Sequence, residues 1–239
     1  MKIFKKVSLA ACLFLWINVS KAQDFTLDSL SEMGYTALWA LESPSELKTE
    51  KPEIIEIYIQ SLHLALHTIL TGDVNELLSY EDQYDLLENL INRKGDRADL
   101  IFVRSEMLLH YAFVQLKFES ELRAGWAIRK SYRLAKQGQN DYPEYVPLHK
   151  TMAIHHIIMG SVPKKYDWIM SILGLEGNTD RGLVQLHDFS TTTSILSNEA
   201  KVLFALINAY LQYDQPIVTD DLNLPKSPLS SLAKVLIHL

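Results

Sequence analysis

The chain has 239 residues, which is enough for one large domain or for a series of helical repeats. Its formal net charge is -6, and without the first 22 residues, which carry four lysines and no acid, 19 basic residues face 29 acidic ones, a net charge of -10. General nucleic-acid binding needs a basic surface, so this composition argues against it.

The first 22 residues have the pattern of a secretory signal peptide. Lys2, Lys5 and Lys6 form a positive start, residues 7–19 are apolar apart from two positions, and residues 20–22 offer small side chains at a cleavage site. The apolar stretch is short for a membrane span. We therefore predict that residues 1–22 are removed, that the protein is secreted to the periplasm, and that the mature chain has no transmembrane segment.

The leader also contains a second, competing signal. Residues 9–12, Leu-Ala-Ala-Cys, resemble a lipobox, in which Cys12 would be lipidated and would anchor the protein. Cys12 is also the chain's single cysteine. If it leaves with the leader, the mature protein has no disulfide and no Cys-ligated metal, and its stability depends on packing.

Beyond the leader the apolar residues recur at spacings of three and four, which is typical of helices, and no segment has a convincing strand pattern. Breaks fall at Gly72, at Gly95 and at several prolines. The ten predicted helices span about residues 28–41, 52–72, 73–94, 98–118, 120–137, 148–159, 163–173, 180–189, 195–213 and 228–239.

Two of these predicted helices, 98–118 and 120–137, are joined by almost no loop, which forces them to lie antiparallel as neighbours. Ten helices in such hairpins predict an all-α protein, a single domain over 23–239, whose hairpins stack as an α-solenoid. No strict period is visible, so the repeats would be degenerate. The apolar pattern still runs at Leu239, which suggests a truncated last hairpin or self-association through residues 228–239.

The segment 160–183 contains the clearest local signals. Either Gly174 or Gly177 can take the left-handed conformation that closes a helix, and Thr179 or Asp180 can cap the next one. We expect Gly182 to lie where two helices approach closely.

This segment resembles the signature of the inclusion-body-clearance branch of the tetratricopeptide-like superfamily, and the resemblance covers about residues 97–189. It implies an α-solenoid that binds a partner, and it brings no catalytic residues. The secretion signal departs from the intracellular members of that branch. The residues that carry the resemblance are Val162-Pro163, residues 169–173, residues 174–177, Asp180 and Gly182-Leu183, with Ser105-Glu106, Trp126, Arg129 and Tyr132 in the preceding hairpin.

Several histidines raise the question of a metal site. His63 and His67 share a helix face at a spacing of four, but the zinc-protease motif with an interior glutamate is absent. Glu106 and His110 share a face too, yet the repeated carboxylates of a di-iron bundle are missing. The adjacent pair at 155 and 156 diverges by about 100° on a helix. We expect structural roles, no bound metal and no cofactor.

One further motif bears on catalysis. Ser45 and Lys48 match the Ser-x-x-Lys spacing of some acyl-transfer enzymes, but the partner motifs are missing, and Ser45 after Pro44 is a natural helix cap.

The cluster most suggestive of binding is Trp126, Arg129, Lys130 and Arg133, which lie three or four residues apart on the fifth helix. An aromatic ring with three cations beside it suits an acidic peptide or an aromatic ligand. In the alternative interpretation, Trp126 and Tyr132 anchor the core and the cations are a solvated flank.

These observations lead to one primary functional prediction: a non-enzymatic, secreted helical-repeat scaffold that binds a protein or peptide partner. Two alternatives remain. One is an α-helical hydrolase or metal-dependent enzyme, and the other is a structural component of an assembly.

Overall fold

In a computed structural model of the full chain, the described residues are 36, 40, 53–92, 97–162, 164, 167–211 and 226–237. Within them the secondary structure consists of nine α-helices and no strand, which confirms the predicted all-α class. The helices are α1 (Ile54–Thr71), α2 (Val74–Asn92), α3 (Ala98–Lys117), α4 (Glu121–Asp141), α5 (Pro147–Gly160), α6 (Asp167–Leu173), α7 (Thr179–Ser190), α8 (Ser197–Leu211) and α9 (Pro228–Ile237).

Local signals place most of the helix ends. Gly72 ends α1 in the left-handed conformation, with φ 64°, as its position after the apolar stripe predicts. The carboxylate of Asp73 then accepts a hydrogen bond of 2.8 Å from the backbone N–H of Asn75, so it caps α2. At the other end of the chain Ser227 accepts a bond from the backbone N–H of Ser230 at the start of α9.

Helix α4 is longer than the sequence predicts. It runs four residues past the expected end at Gln137, through Gly138 to Asp141, so that boundary was wrong. A Cβ at Gly138 would lie 2.8 Å from side-chain atoms of both Ile101 and Leu148. Three helices therefore converge on Gly138, and a larger side chain would not fit between them. Gly138 does not end α4.

The segment 160–183 follows the prediction in part. Gly174 takes the left-handed conformation, φ 61°, just after α6. Gly177 does not, because its role is contact: a Cβ there would lie 2.4 Å from the backbone nitrogen of Gly160. The cap of α7 is Asn178, one residue before the two expected candidates, and its side chain accepts a bond of 2.8 Å from the backbone N–H of Arg181.

Gly182 lies at the close approach that the sequence predicts. A Cβ on it would come within 2.7 Å of the carbonyl oxygen of Ala153 and of the backbone nitrogen of Ile157, both on α5. Helices α5 and α7 can therefore touch backbone to backbone only because this position is glycine. They pack as an antiparallel pair with the short α6 between them in the chain.

The helices pack in pairs, and the pairs contact each other. The pairs are α1 with α2, α3 with α4, α5 with α7, and α8 with α9, and further contacts join α1 to α3, α3 to α5, α4 to α5, and α7 to α8. One apolar cluster of buried residues extends from Ile55 to Val202, and a second, smaller one joins α3 and α4 around Ala124 and Ile128. Helices α2 and α4 run parallel, because Glu81 pairs with Arg123 and, seven residues further on in both, Glu88 pairs with Lys130.

Within the described ranges one helix, α1, is long and apolar enough to cross a membrane by length and composition. A buried core helix passes the same test, and α1 is packed as one: Ile57 and Tyr58 are fully buried, and Ser61 is hydrogen-bonded to His110 on α3. The helix contributes to the core, and 39% of its apolar window is buried.

Several predictions fall outside the described residues: the leader with Cys12, most of the first helix, the Ser45 motif, Pro163 and the end of the chain. Within residues 228–239, the segment predicted to self-associate, α9 contacts α8 and exposes Val235.

Candidate functional site: a basic outer face on α4

Helix α4 concentrates positive charge in an acidic protein. Between Glu121 and Asp141, the residues at its two ends, it carries five cations and no acid. The small residues Ala124, Ala127 and Ala135 turn toward the core. Trp126, Arg133 and Lys136 are exposed on the opposite side, and the candidate cluster lies there.

Trp126 is the aromatic centre of this surface. Its side chain remains 53% exposed, so the interpretation of Trp126 as a core anchor was wrong. The guanidinium of Arg129, one turn later, lies 5.4 Å from the ring centroid, a cation–π distance. Tyr132, the other expected anchor, is partly buried and packs edge-on against the ring of His155 at 5.6 Å, as a core residue would.

The structure separates Lys130 from the rest of the predicted cluster. Its Nζ lies 3.1 Å from Glu88 on α2, and Arg123 makes an equivalent pair with Glu81 at 3.0 Å. These two cations lie on the flank of α4 that meets α2. They help to hold the two helices in register.

The remaining cations form a single line along the outward side. Arg129, Arg133 and Lys136 follow at spacings of four and three, and none of them is ion-paired to a residue that the structure describes. Lys136 was missed in the sequence, although it continues the spacing, and its Nζ lies 5.6 Å from the ring of Tyr132. We define the α4 outer face as Leu122, Trp126, Arg129, Arg133 and Lys136.

A second group of polar residues is buried at the centre of the protein. Lys150 on α5 is completely buried, and its Nζ lies 2.7 Å from Glu106 on α3 and 2.7 Å from Glu199 on α8. The same nitrogen donates to the hydroxyl of Tyr58 on α1 at 3.1 Å, and that hydroxyl donates to Glu199 at 2.7 Å. Thr151 donates to the second oxygen of Glu106. We call these five residues the Lys150 network.

The Lys150 network is chemically satisfied. Burial alone lowers the pKa of Lys150, but the carboxylates of Glu106 and Glu199 outweigh it and raise that pKa above its usual value. The ammonium is therefore charged and has all three N–H groups engaged, so it is not a free nucleophile or base. This arrangement also accounts for Glu106, which pairs with Lys150 and not with His110.

The buried histidines are structural for a related reason. Burial lowers the pKa of both His110 and His155 to about 3, so both are neutral. The hydroxyl of Ser131 donates to the carbonyl of Ser105 at 2.6 Å, so Nε2 of His155 must donate to Ser131. That direction is the reverse of what a histidine base needs to activate a serine.

No metal site emerges from the part of the chain that the structure describes. His63 and His67 have ring centroids 6.2 Å apart, and His67 lies 3.6 Å from Glu76. Burial and the nearby His67 lower the pKa of His63. Across the described ranges, however, no group of three or more histidine, cysteine, aspartate or glutamate side chains is placed to share an ion.

Comparison of the chain with protein-family models, with curated proteins and with solved structures gave no match in any of the three.

Proposed function

We propose that this protein is a non-enzymatic, secreted helical-repeat scaffold of the periplasm, and that its α4 outer face binds an acidic segment of a protein or peptide partner. The observation that carries the proposal is the exposed Trp126 with Arg129 against its ring, followed by Arg133 and Lys136, which have no ion-pair partner among the described residues. Aromatic and arginine side chains of this kind dominate binding energy at interfaces.

The positive charge of the α4 outer face predicts an acidic partner. The protein as a whole is acidic, so three cations without ion-pair partners among the described residues stand out against a negative background. Carboxylates of a partner would gain charge-assisted hydrogen bonds from Arg129 and Arg133. An aromatic or aliphatic partner residue beside them would cover the ring of Trp126.

We further propose a tetratricopeptide-like arrangement of the helix pairs. The parallel course of α2 and α4, fixed by their two ion pairs, is what stacked hairpins require of their second helices. Contacts of α1 with α3, and of α3 with α5, support the same order for the first helices of the pairs.

The Lys150 network argues for the outer face as the binding surface. Helix axes in contact lie about 8–10 Å apart, so four first helices in a straight row would span about 25–30 Å. Yet Tyr58 on α1 and Glu199 on α8 are 2.7 Å apart at their hydrogen-bonded atoms. The first helices gather around Lys150, which fills the inner side of the array. We infer that α4, as the second helix of its pair, presents its exposed side away from this inner region.

The test is a binding measurement with a fluorescent peptide rich in aspartate and glutamate and containing one aromatic residue. We expect wild-type protein to bind it, Trp126→Ala and the double variant Arg129→Ala/Arg133→Ala to lose at least tenfold in affinity, and added salt to weaken binding. Trp168→Ala is the matched control, because Trp168 on α6 is 55% exposed and Trp126 is 53% exposed.

Two results would overturn the proposal. The first is equal binding of a basic peptide, which would remove the argument from charge. The second is unchanged affinity in the Trp126 and arginine variants. Stoichiometric zinc or iron in the purified protein would instead favour the metal-dependent enzyme.

A further inference from the structure

Helix α2 is the charge counterpart of α4. Over Val74–Asn92 it carries five acids and no cation, the mirror image of the five cations on α4. Glu81 and Glu88 pair with α4 of the same chain, and Glu76 lies beside His67. Asp82 and Asp85 are exposed and make no ion pair with any residue that the structure describes.

The outward side of α2 also exposes apolar side chains. Leu78 is 60% exposed and Leu86 is 64% exposed, and they flank Asp82 and Asp85 along the helix. We define the α2 outer face as Leu78, Asp82, Asp85 and Leu86. Its composition, two leucines with two carboxylates, complements the α4 outer face, which has Leu122 and Trp126 with three cations.

The two outer faces cannot satisfy each other within one molecule. Helices α2 and α4 are linked through the ion pairs of Glu81 and Glu88, and the side chains of both outer faces are exposed or partly exposed to solvent. A second copy of the chain can supply the oppositely charged face that each outer face lacks within its own molecule. The pairs Glu81–Arg123 and Glu88–Lys130 show that an acidic α2 and a basic α4 match in parallel register with a seven-residue repeat.

We propose that the acidic partner of the α4 outer face is a second copy of this chain, which docks through its α2 outer face. This inference rests on the proposed function, since it uses the same α4 surface and names its occupant. The contact joins two different surfaces, so a docked pair leaves the α2 face of one copy and the α4 face of the other free. The assembly therefore grows head to tail beyond a dimer, or closes into a ring.

The test exchanges the charges of the two faces. One variant, Arg129→Glu/Arg133→Glu, makes the α4 outer face acidic, and the other, Asp82→Lys/Asp85→Lys, makes the α2 outer face basic. In each variant alone, the α2 and α4 outer faces carry the same charge and repel each other. In an equimolar mixture, each face of one variant can again meet an oppositely charged face of the other. Circular dichroism and thermal unfolding of each variant first establish that it is folded, as expected for substitutions of exposed residues.

Sedimentation velocity at low ionic strength and a protein concentration of about 100 μM is the measurement. We expect wild-type protein to sediment as concentration-dependent oligomers that dissociate when salt screens the charges. Each variant alone should be a monomer, and the mixture should regain oligomers. A mixture that stays monomeric, or single variants that assemble like wild type, would overturn the inference.

Two further measurements distinguish this inference from the proposed function on which it rests. The Asp82→Lys/Asp85→Lys variant should still bind the acidic peptide, because its α4 face is intact. A wild-type protein that binds the peptide through α4 but stays monomeric would overturn the inference and leave the proposed function standing. If neither peptide nor second copy binds, the proposed function fails. Val235→Lys probes α9, and if it alone abolished assembly, residues 228–239 and not the α2 and α4 faces would be the interface.

Discussion

Replacing Lys150 by methionine tests how much of the fold depends on the buried ion network. Methionine keeps a long, flexible side chain but removes the ammonium, and it leaves Glu106 and Glu199 buried without a counter-charge. Their side chains are 3% and 14% exposed, so water can replace the lost partner only in part. Three of the four helix pairs supply a carboxylate or an ammonium to this network, through α3, α5 and α8.

The expected magnitude follows from the contacts that disappear. Two charge-assisted hydrogen bonds of 2.7 Å are lost, and each is worth about 1.5–3 kcal/mol. Breaking a buried ion pair from one side costs about 3–5 kcal/mol in total, which agrees with that range. We therefore expect the free energy of unfolding of Lys150→Met to fall by about 3–5 kcal/mol at pH 7.

The loss should depend on pH in a defined direction. Without the ammonium, burial penalises the charged form of both carboxyl groups, and protonation removes that penalty. Proton uptake by the folded variant at lower pH therefore offsets part of the lost stability. The deficit of Lys150→Met relative to wild type should therefore shrink between pH 7 and pH 5.

Urea unfolding followed by circular dichroism measures these differences, with an unchanged m-value as the check that both proteins unfold to the same extent. Lys136→Met is the matched control, because Lys136 is exposed, and it should cost less than about 0.5 kcal/mol. The triple variant Lys150→Met/Glu106→Gln/Glu199→Gln should recover part of the loss, since no charge is left buried. A loss below about 1 kcal/mol in Lys150→Met would refute the reasoning.

Three further predictions concern the glycines and the leader. Gly182→Leu should lower stability by about 3 kcal/mol or more, because the carbonyl of Ala153 blocks the new side chain, and an unchanged melting temperature would contradict this. Gly174→Ala should cost about 1–2 kcal/mol in urea unfolding through its left-handed backbone alone, since nothing lies within 4 Å of the added carbon. N-terminal mass analysis of the exported protein should find Gln23 as the first residue, and an acylated Cys12 would establish the lipid anchor instead.

The helix pattern was predictable because its signals are local. Gly72 and Gly174 follow apolar stripes, and both adopt the left-handed conformation that ends a helix. Gly138 carries the same local signal and has the opposite role, since α4 continues through it. What distinguishes it is its contact with Ile101 and Leu148, which no window of neighbouring residues can show.

The candidate surface was predictable in its spacing but not in its exposure. Residues 126, 129 and 133 share a side of any helix, yet periodicity alone cannot say whether that side meets core or solvent. The sequence could not show that Lys130 is ion-paired, because its partner Glu88 lies 42 positions away. Lys150 was overlooked, although a lone lysine within the apolar α5 is itself a signal of a buried charge with a partner elsewhere.

The segregation of charge onto α2 and α4 calls for a reason other than stability. Exposed ion pairs such as Glu81–Arg123 and Glu88–Lys130 contribute about 0–1 kcal/mol each, and they occupy only two of the five charges on each helix. Mixed charges on both helices would give the same solubility and equivalent pairs. Helices of opposite sign, each with an exposed apolar strip, instead supply what selective association requires: attraction between unlike faces and repulsion between like ones. We therefore propose recognition as the reason for the pattern, and the charge-exchange variants test that proposal directly.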